Sequence, residues 1–501
     1  MEAEILKLAN LHYEKRCYTS AAFYADKLVS ISGGNPEYVY LLASCYFQNA
    51  EYPRVVHLLE KTKLIHKDFR MQALAGQATV TAGDFQNTIR ILSEEVEDPQ
   101  DKSWKSLKFY YLGRAHEAKE SIGLAAEHYK QALLADPTCL EAFNALIDRQ
   151  LISASEEIEL VSALDLEPWI KEFYLTKLKF HQPPGANLQV LEQTENLDIL
   201  LSKASQLFSS HKVEQAYEVS SKILREDPFH LAAVPLHCGC MASLGLVGEL
   251  YNLAHNLVKD YKGSPAAWYA AGIYYYVIKK YEYSRKFFMK AFKMEKEYLP
   301  AWLGYGHTYA AQDQSDQAMS AYRSVARLFP GCYLANLYMG MEYLRTKNLR
   351  TALLSFELAK KVNENDAVVW NEIGVVLYKK QDFHRANEVL EGALKLCEGV
   401  MHTTAEAIIF NLAHTYRKLK NYEKAIEYYH KCIQLNSRNA STYSAIGLTF
   451  YLNGQVHDAV DAFNKALFLK SNDRFTNDLL YIALFECAES PPLEVDRMIQ
   501  V

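Results

Sequence analysis

Large aromatic side chains recur along this chain at a fixed interval. Trp268, Trp302 and Trp370 are separated by 34 or 68 residues, and Asn336 occupies the position that is skipped. A glycine follows each of these positions after four residues, and these glycines are Gly272, Gly306, Gly340 and Gly374. Such a period predicts stacked copies of one small unit, because a single copy cannot bury its own apolar face.

The second half of each unit repeats as well. It carries a small residue, then an aromatic residue or leucine, then usually another small residue. In four successive units these residues are Ser284, Phe288 and Ala291; Ala318, Tyr322 and Val325; Ala352, Phe356 and Ala359; and Ala386, Leu390 and Ala393. The register extends back to Ala204 and Cys238. After a five-residue insertion near Glu398–Thr403 it continues to Ala413 and Gly447.

This pattern is typical of tetratricopeptide (TPR) repeats, in which two antiparallel helices, A and B, form one unit. Small residues at positions 8 and 20 of the unit let the two helices approach closely, and large residues at positions 4, 11 and 24 fill the remaining space. A proline near position 32 ends helix B. The sequence therefore predicts an all-α fold, a right-handed superhelical solenoid of TPR helix-turn-helix repeats.

The register divides the chain into four predicted parts. Residues 1–150 form an N-terminal TPR block, which repeats more loosely, and residues 151–196 form an irregular helical middle. Residues 197–473 form a C-terminal TPR superhelix that contains a partner groove, and residues 474–501 form a capping helix and a tail. This division gives twelve recognisable units and a degenerate one that begins near Phe143.

Composition narrows the class of protein. The net charge is −6 with both signs mixed, which gives no support for a nucleic-acid-binding surface. The longest apolar run, Ala266–Ile278, is too short to span a membrane, and the N-terminus lacks the apolar core of a signal peptide. Nine cysteines, an odd number scattered along the chain, indicate reduced thiols in the cytoplasm or nucleus.

No motif in the sequence predicts catalysis, a cofactor or a metal ion. His230, His237, Cys238 and Cys240 lie close together, but four ligands on one helix and its lead-in cannot all converge on a tetrahedral ion. Cys238 also fills the small position 8, so we interpret this cluster as structural. The sequence predicts a protein that is not an enzyme.

Helix A of each TPR lines the inner wall of the superhelix, and helical periodicity turns positions 2, 5, 9 and 12 towards it. In the C-terminal units this wall is aromatic and apolar, with a few hydrogen-bonding groups, and an exposed apolar groove often binds a partner. The predicted groove residues are Tyr269, Ile273, Leu303, His307, Leu337, Met341, Asn371, Val375, Tyr378, Phe410, Asn411, His414, Arg417 and Tyr451. Alternatively, some of them only cover the next helix.

The polar groove residues indicate what kind of partner fits. Asn371 and Asn411 are expected to hold the backbone of an extended or helical segment. No unit carries lysine at position 5, so the groove lacks the two-carboxylate clamp of chaperone-binding TPR proteins. A neutral segment is therefore expected rather than an acidic C-terminus.

Five segments resemble anaphase-promoting complex/cyclosome TPR subunits of the cell-division-cycle-sixteen type (subunit six). They are SAAFYADK (20–27), DPFH (227–230), AWLGYGH (301–307), DQAM (316–319) and NASTYSAIG (439–447). The resemblance covers nearly the whole chain. It implies a scaffold subunit of a ubiquitin ligase, acting in the nucleus and cytoplasm.

The resemblance also implies three kinds of partner. These are a second copy of the chain, bound through the N-terminal repeats, a small subunit of the cell-division-cycle-twenty-six type in the C-terminal groove, and other TPR subunits of the complex. Nucleic acid and membranes are not expected. The alternatives are a TPR co-chaperone, which the missing lysine disfavours, and an enzyme with a TPR domain, for which the chain leaves too little room.

Overall fold

The computed structural model describes residues 2–94, 96, 102–178, 196–209, 212–397 and 403–489. These ranges form 28 α-helices and contain no β-strand, and the helices stack as TPR pairs in a right-handed superhelical solenoid. The predicted fold class is therefore confirmed. Residues 398–402 of the predicted insertion, 179–195 of the predicted middle and 490–501 of the predicted tail lie outside the described ranges.

The first part of the chain forms four helix pairs followed by three shorter helices. The pairs are α1 (Glu2–Glu14) and α2 (Tyr18–Ser32), α3 (Pro36–Gln48) and α4 (Tyr52–Lys61), α5 (Phe69–Ala82) and α6 (Phe85–Ser93), and α7 (Lys102–Ala118) and α8 (Ile122–Ala135). The shorter helices are α9 (Leu140–Asp148), α10 (Ala154–Ala163) and α11 (Pro168–Lys177). Tyr174 of α11 is buried and stacks on Phe143 of α9, with ring centroids 3.7 Å apart. Both belong to the same buried cluster as Tyr129 of α8, so the degenerate unit packs onto the block before it.

The second part forms eight pairs and one further helix. These are α12 (Leu197–Ser209) and α13 (Val213–Glu226), α14 (Val234–Leu244) and α15 (Val247–Asp260), α16 (Pro265–Val277) and α17 (Tyr281–Met294), α18 (Leu299–Ala310) and α19 (Ser315–Leu328), α20 (Tyr333–Arg345) and α21 (Leu349–Val362), α22 (Ala367–Lys379) and α23 (Phe383–Leu396), α24 (Thr403–Lys418) and α25 (Tyr422–Leu435), α26 (Ala440–Leu452) and α27 (Val456–Leu469), and finally α28 (Arg474–Glu489).

Helices A and B meet where position 8 of helix A faces position 24 of helix B. A Cβ added at Gly272 would lie 2.5 Å from Phe288, and one at Gly447 would lie 2.8 Å from Phe463. Such distances are far below van der Waals contact, so the ring occupies the space that a side chain would need. Glycine is therefore required for packing here, within regular helices.

The residue at position 24 decides how large position 8 can be. Glycine faces a large side chain in the pairs Gly76–Leu92, Gly113–Tyr129, Gly272–Phe288, Gly306–Tyr322, Gly340–Phe356, Gly374–Leu390 and Gly447–Phe463. Alanine or cysteine faces a small one in the pairs Ala9–Ala25, Ala204–Ser220 and Cys238–Ala254. Ala43–Leu59 and Ala413–Tyr429 depart from this rule. Seven of the twelve pairs thus combine glycine with a large side chain at this contact.

Each pair whose turn lies wholly within the described ranges reverses direction at a residue in the left-handed conformation. In five successive pairs of the C-terminal part this residue is not glycine; the residues are Lys279, Asp313, Lys347, Gln381 and Lys420, with φ between 59° and 65°. An L-residue in this conformation costs about 1–2 kcal/mol. Because the turn repeats at the same position, the stacked helices must stabilise it.

A contact distant in sequence joins the first part of the chain to the second. The backbone N–H of Gly331 donates to the carbonyl oxygen of Gln150 over 2.8 Å, and both residues are buried. A Cβ at Gly331 would overlap the Ile152 carbonyl oxygen. Arg149 bonds to Glu297 over 2.8 Å. We call this contact between residues 149–152 and residues 297–331 the clasp.

A double-mutant cycle tests the packing rule. Gly340→Ala should destabilise the protein by about 1–3 kcal/mol, because the new methyl group overlaps the Phe356 ring. In a Phe356→Ala background the same change should be neutral or stabilising, since alanine favours a helix over glycine by about 1 kcal/mol. Urea unfolding of the four proteins measures the coupling. Equal effects in both backgrounds would refute the packing rule.

The clasp predicts a second outcome. Gly331→Val should disrupt the hydrogen bond to Gln150, and the amides of residues 149–152 and 331–333 should exchange with deuterium faster than in the parent protein. Gly248→Val is the matched control, because a Cβ at Gly248 meets nothing within 4 Å. Unchanged exchange at residues 149–152 would contradict a stabilising role for the clasp.

Candidate partner-binding groove

The predicted groove residues lie on the A helices α16, α18, α20, α22, α24 and α26. Positions 5 and 9 are one helical turn apart, so each helix presents both to the same side. Residues of neighbouring units meet there: His307 contacts Tyr338 of α20 at 4.5 Å between ring centroids, and the Tyr378 and His414 rings lie 6.4 Å apart. The A helices thus form one continuous wall.

The exposure of the wall varies along the groove. Eight of the predicted groove residues are half-buried; they are Ile273, Leu303, Met341, Val375, Tyr378, Phe410, Arg417 and Tyr451. Tyr269 and Leu337 are buried within the chain. The half-buried set offers accessible apolar area, whereas the two buried residues support the wall from behind.

The two predicted amides bond to each other. The Asn411 side-chain amide donates to the side-chain oxygen Oδ1 of Asn371 over 2.8 Å, and the Asn371 side-chain amide donates to the Glu372 carboxylate over 3.1 Å. Asn371 is 8% exposed, whereas Asn411 is half-buried. Asn411 is therefore the more accessible of the two for a bound backbone, and Asn371 positions it.

The two histidines of the wall each share a hydrogen bond with helix B of their own unit. The Tyr429 hydroxyl lies 2.7 Å from His414 Nδ1, and the Tyr322 hydroxyl lies 2.9 Å from His307 Nδ1. Burial lowers the pKa of each histidine to about 4, so both are neutral at physiological pH. Arg417 also lies 3.1 Å from His414 Nδ1.

Because Arg417 can only donate, His414 Nδ1 acts as an acceptor and the ring proton is assigned to Nε2. The histidines therefore satisfy the buried tyrosine hydroxyls of position 24. This role links helix A to helix B and was not predicted from the sequence. It does not depend on a partner.

The wall continues onto α28, which was predicted only as a capping helix. Phe475, Ile482 and Phe485 occupy positions 2, 9 and 12 of a further helix A, and all three are exposed. The signal was present, because the 34-residue register places position 1 at Arg474. Tyr481 occupies position 8, where the other units carry a small residue, so the repeat pattern did not identify this helix as helix A of a further unit.

The histidine and cysteine cluster has structural surroundings. His237 Nδ1 lies 2.9 Å from the Ser220 hydroxyl, and burial lowers its pKa to about 4. Cys238 is fully buried, and burial raises the pKa of its thiol well above the usual value, which disfavours the thiolate that binds metals. Across the described ranges no group of three or more possible ligands lies close enough together to hold a metal ion.

No helix in the described part of the chain combines the length and the apolar character needed to cross a membrane.

Family models match three segments of the chain. The model described as anaphase-promoting complex, cyclosome, subunit 3 matches residues 14–95, and tetratricopeptide repeat models match residues 299–332 and 407–439. The two repeat matches cover α18–α19 and α24–α25, which include several groove residues.

Curated relatives match over nearly the full length. The chain is 33% identical to anaphase-promoting complex subunit 6 of Arabidopsis thaliana, covering 96% of each chain. It is 32% identical to cell division cycle protein 16 homolog of Homo sapiens, covering 95% of this chain and 83% of the relative. It is 30% identical to anaphase-promoting complex subunit cut9 of Schizosaccharomyces pombe, covering 94% and 74%.

A solved structure has the same architecture. The crystal structure of the APC/C hetero-tetramer Cut9-Hcn1 matches with a TM-score of 0.77 and 29% identity, covering 97% of this chain and 96% of that one. The sequence relatives and the shared solenoid agree. The chain belongs to the anaphase-promoting complex subunit 6 family, whose members are also named cell division cycle protein 16.

Proposed function

We propose that this chain is a non-catalytic scaffold subunit of the anaphase-promoting complex/cyclosome ubiquitin ligase, and that it supports the ubiquitination of cell-cycle proteins. The observation that carries the proposal is the continuous inner wall of α16–α26, apolar and half-buried, on a chain of this family. A wall of stacked helices provides an extended surface on which other proteins can bind. The other TPR subunits of the complex are proposed as its larger partners.

The groove is proposed to bind a segment of a small subunit of the cell-division-cycle-twenty-six type. The half-buried apolar residues can receive an apolar side chain, and Asn411 can bond to its backbone. His307 and His414 are neutral and no lysine stands at position 5, so Arg417 is the one cation in the predicted groove set and the two-carboxylate clamp for an acidic C-terminus is missing. The related Cut9 was crystallised in a hetero-tetramer with Hcn1, which supports a second kind of chain as the guest.

A homodimer is proposed to form through the N-terminal repeats. The first helix pair exposes four large apolar side chains, which are Leu8, Leu11, Phe23 and Ile31. Phe23 is the most exposed of these, at 66%. Surface of this kind is stabilised by pairing with another chain. A hetero-tetramer built from two kinds of chain, as in the related structure, must contain at least one of them more than once.

The proposed location is the nucleus and cytoplasm. No disulfide bond joins any of the nine cysteines, all of which lie within the described ranges, and most of them are buried. A chain whose cysteines are not cross-linked suits a reducing compartment.

Substitutions in the wall test the groove. Met341→Arg and Val375→Arg should each abolish co-purification of the small subunit, because a charge would be introduced into an apolar wall. Leu354→Arg is the matched control, since Leu354 of α21 is exposed and lies outside the predicted groove set. Circular dichroism should show equal helix content in all three. Retained binding by both wall variants would rule out the groove as the binding site.

Light scattering tests the homodimer. The parent protein should have twice the 57.2 kDa mass of one chain, and a Leu8→Glu/Phe23→Glu variant should have the mass of one chain. Two charges in the interface would oppose association, whereas Leu354→Glu should leave the dimer intact. A variant that keeps the doubled mass would move the interface elsewhere.

A further inference from the structure

The outer surface of α17 differs from the helices beside it. Between residues 279 and 296 the chain carries seven lysines or arginines and two glutamates. The adjacent B helices, α15 and α19, carry both signs in nearly equal number. The balanced charge of the whole chain conceals this local excess.

The lysines of α17 lie on one face of the helix together with exposed apolar groups. Lys286, Lys290 and Lys293 are exposed and follow one another at intervals of four and three residues, and Tyr283 and Met294 lie on the same side. Tyr283 is 53% exposed and Met294 is 42% exposed. We call these five residues the lysine face.

The charges of the lysine face are not neutralised by the protein. No ion pair within the described ranges includes Lys286, Lys290 or Lys293. The nearby acidic residues on α17 and its ends are Glu282 and Glu295. Net positive charge is therefore available to a partner.

A stack of aromatic rings supports the lysine face from beneath. The Phe287 ring lies 5.9 Å from Trp268 and 5.2 Å from Tyr275, both nearly parallel to it, and Tyr275 lies 5.5 Å from Tyr283. Lys290 Nζ lies 3.2 Å from the centroid of the Trp268 ring, a cation–π contact. These contacts hold the face in one arrangement before binding, which reduces the ordering that binding requires.

We propose that the lysine face binds an acidic segment of another protein, one that also carries an aromatic side chain. Alternating acids would pair with Lys286, Lys290 and Lys293, and the aromatic ring would pack against Tyr283 and Met294. The 14-residue helix is about 21 Å long, which matches about six residues of extended chain. A nucleic acid is disfavoured because the rest of the chain is acidic and would repel a longer phosphate backbone.

The lysine face and the proposed groove lie on different helices of the unit. The residues that α17 packs against α16 are Ser284, Phe288 and Ala291, all fully buried, and the lysine face points away from them. The groove residues of this unit belong to α16. An acidic segment on α17 would therefore leave the groove free, and both partners would bind together.

A synthetic peptide serves as the probe. Fluorescence anisotropy would measure binding of a fluorescein-labelled peptide with three repeats of Glu-Asp-Phe-Glu to the full chain. The triple variant Lys286→Glu/Lys290→Glu/Lys293→Glu should bind at least ten-fold more weakly. The matched control, Lys395→Glu/Lys420→Glu/Lys465→Glu, makes the same change in net charge at exposed sites elsewhere and should bind within two-fold of the parent. Equal losses in the two triple variants would overturn the proposal.

Further binding measurements identify the class of partner and the surface to which it binds. Tyr283→Ala should weaken binding of the phenylalanine-containing peptide at least three-fold. It should not change binding of a peptide in which alanine replaces phenylalanine. Tighter binding of a twelve-nucleotide oligothymidylate or of phosphatidylserine vesicles would overturn the assignment to an acidic protein. Met341→Arg should bind the peptide like the parent, and a loss there would place the peptide in the groove, against the proposal. Circular dichroism confirms folding of each variant.

Discussion

The contact between position 8 of helix A and position 24 of helix B sets the geometry of the whole molecule. Where Phe288 or Tyr322 fills position 24, the facing residue is a glycine, and the ring packs directly on the helix backbone. This close approach fixes the angle within each pair, and stacking then repeats it along the chain. Seven of the twelve pairs share this glycine contact, so the same close approach recurs along most of the inner wall.

The repeat could be predicted from the sequence because packing is periodic, and periodicity is visible in one chain. The glycines, the aromatic residues and the helical face of the groove all follow from it. The bonds of the groove were not predictable in the same way. Asn371 and Asn411 belong to units on either side of the insertion, so the bond between them does not follow from the spacing. The bond between His414 and Tyr429 joins positions 9 and 24, as does that between His307 and Tyr322, but the other C-terminal units carry no histidine at position 9, so the repeat pattern does not reveal it. The clasp was also missed, because nothing in the register relates Gln150 to Gly331.

A TPR pair offers two surfaces with different chemistry, and both are present in the α16–α17 unit of this chain. Helix A carries an apolar wall with neutral histidines, suited to a neutral guest. Helix B of the α16–α17 unit carries lysines above stacked aromatic rings. Since the position of a residue in the unit decides which surface it reaches, one 34-residue register encodes both. A subunit of a large assembly benefits from such separation, because partners need not compete for the same helices.

The clasp sets the order in which parts of the molecule can come together during translation. Most contacts of a solenoid join neighbouring units and can form as soon as the chain emerges. Gln150 and Gly331 are 181 residues apart. At a synthesis rate of 5–20 residues per second, Gln150 is therefore made roughly 10–40 seconds before Gly331. During that interval the Gln150 carbonyl oxygen lacks the Gly331 N–H from which it accepts in the finished protein. Helices α20–α28 follow Gly331 in the chain, so they are made after both sides of the clasp are available.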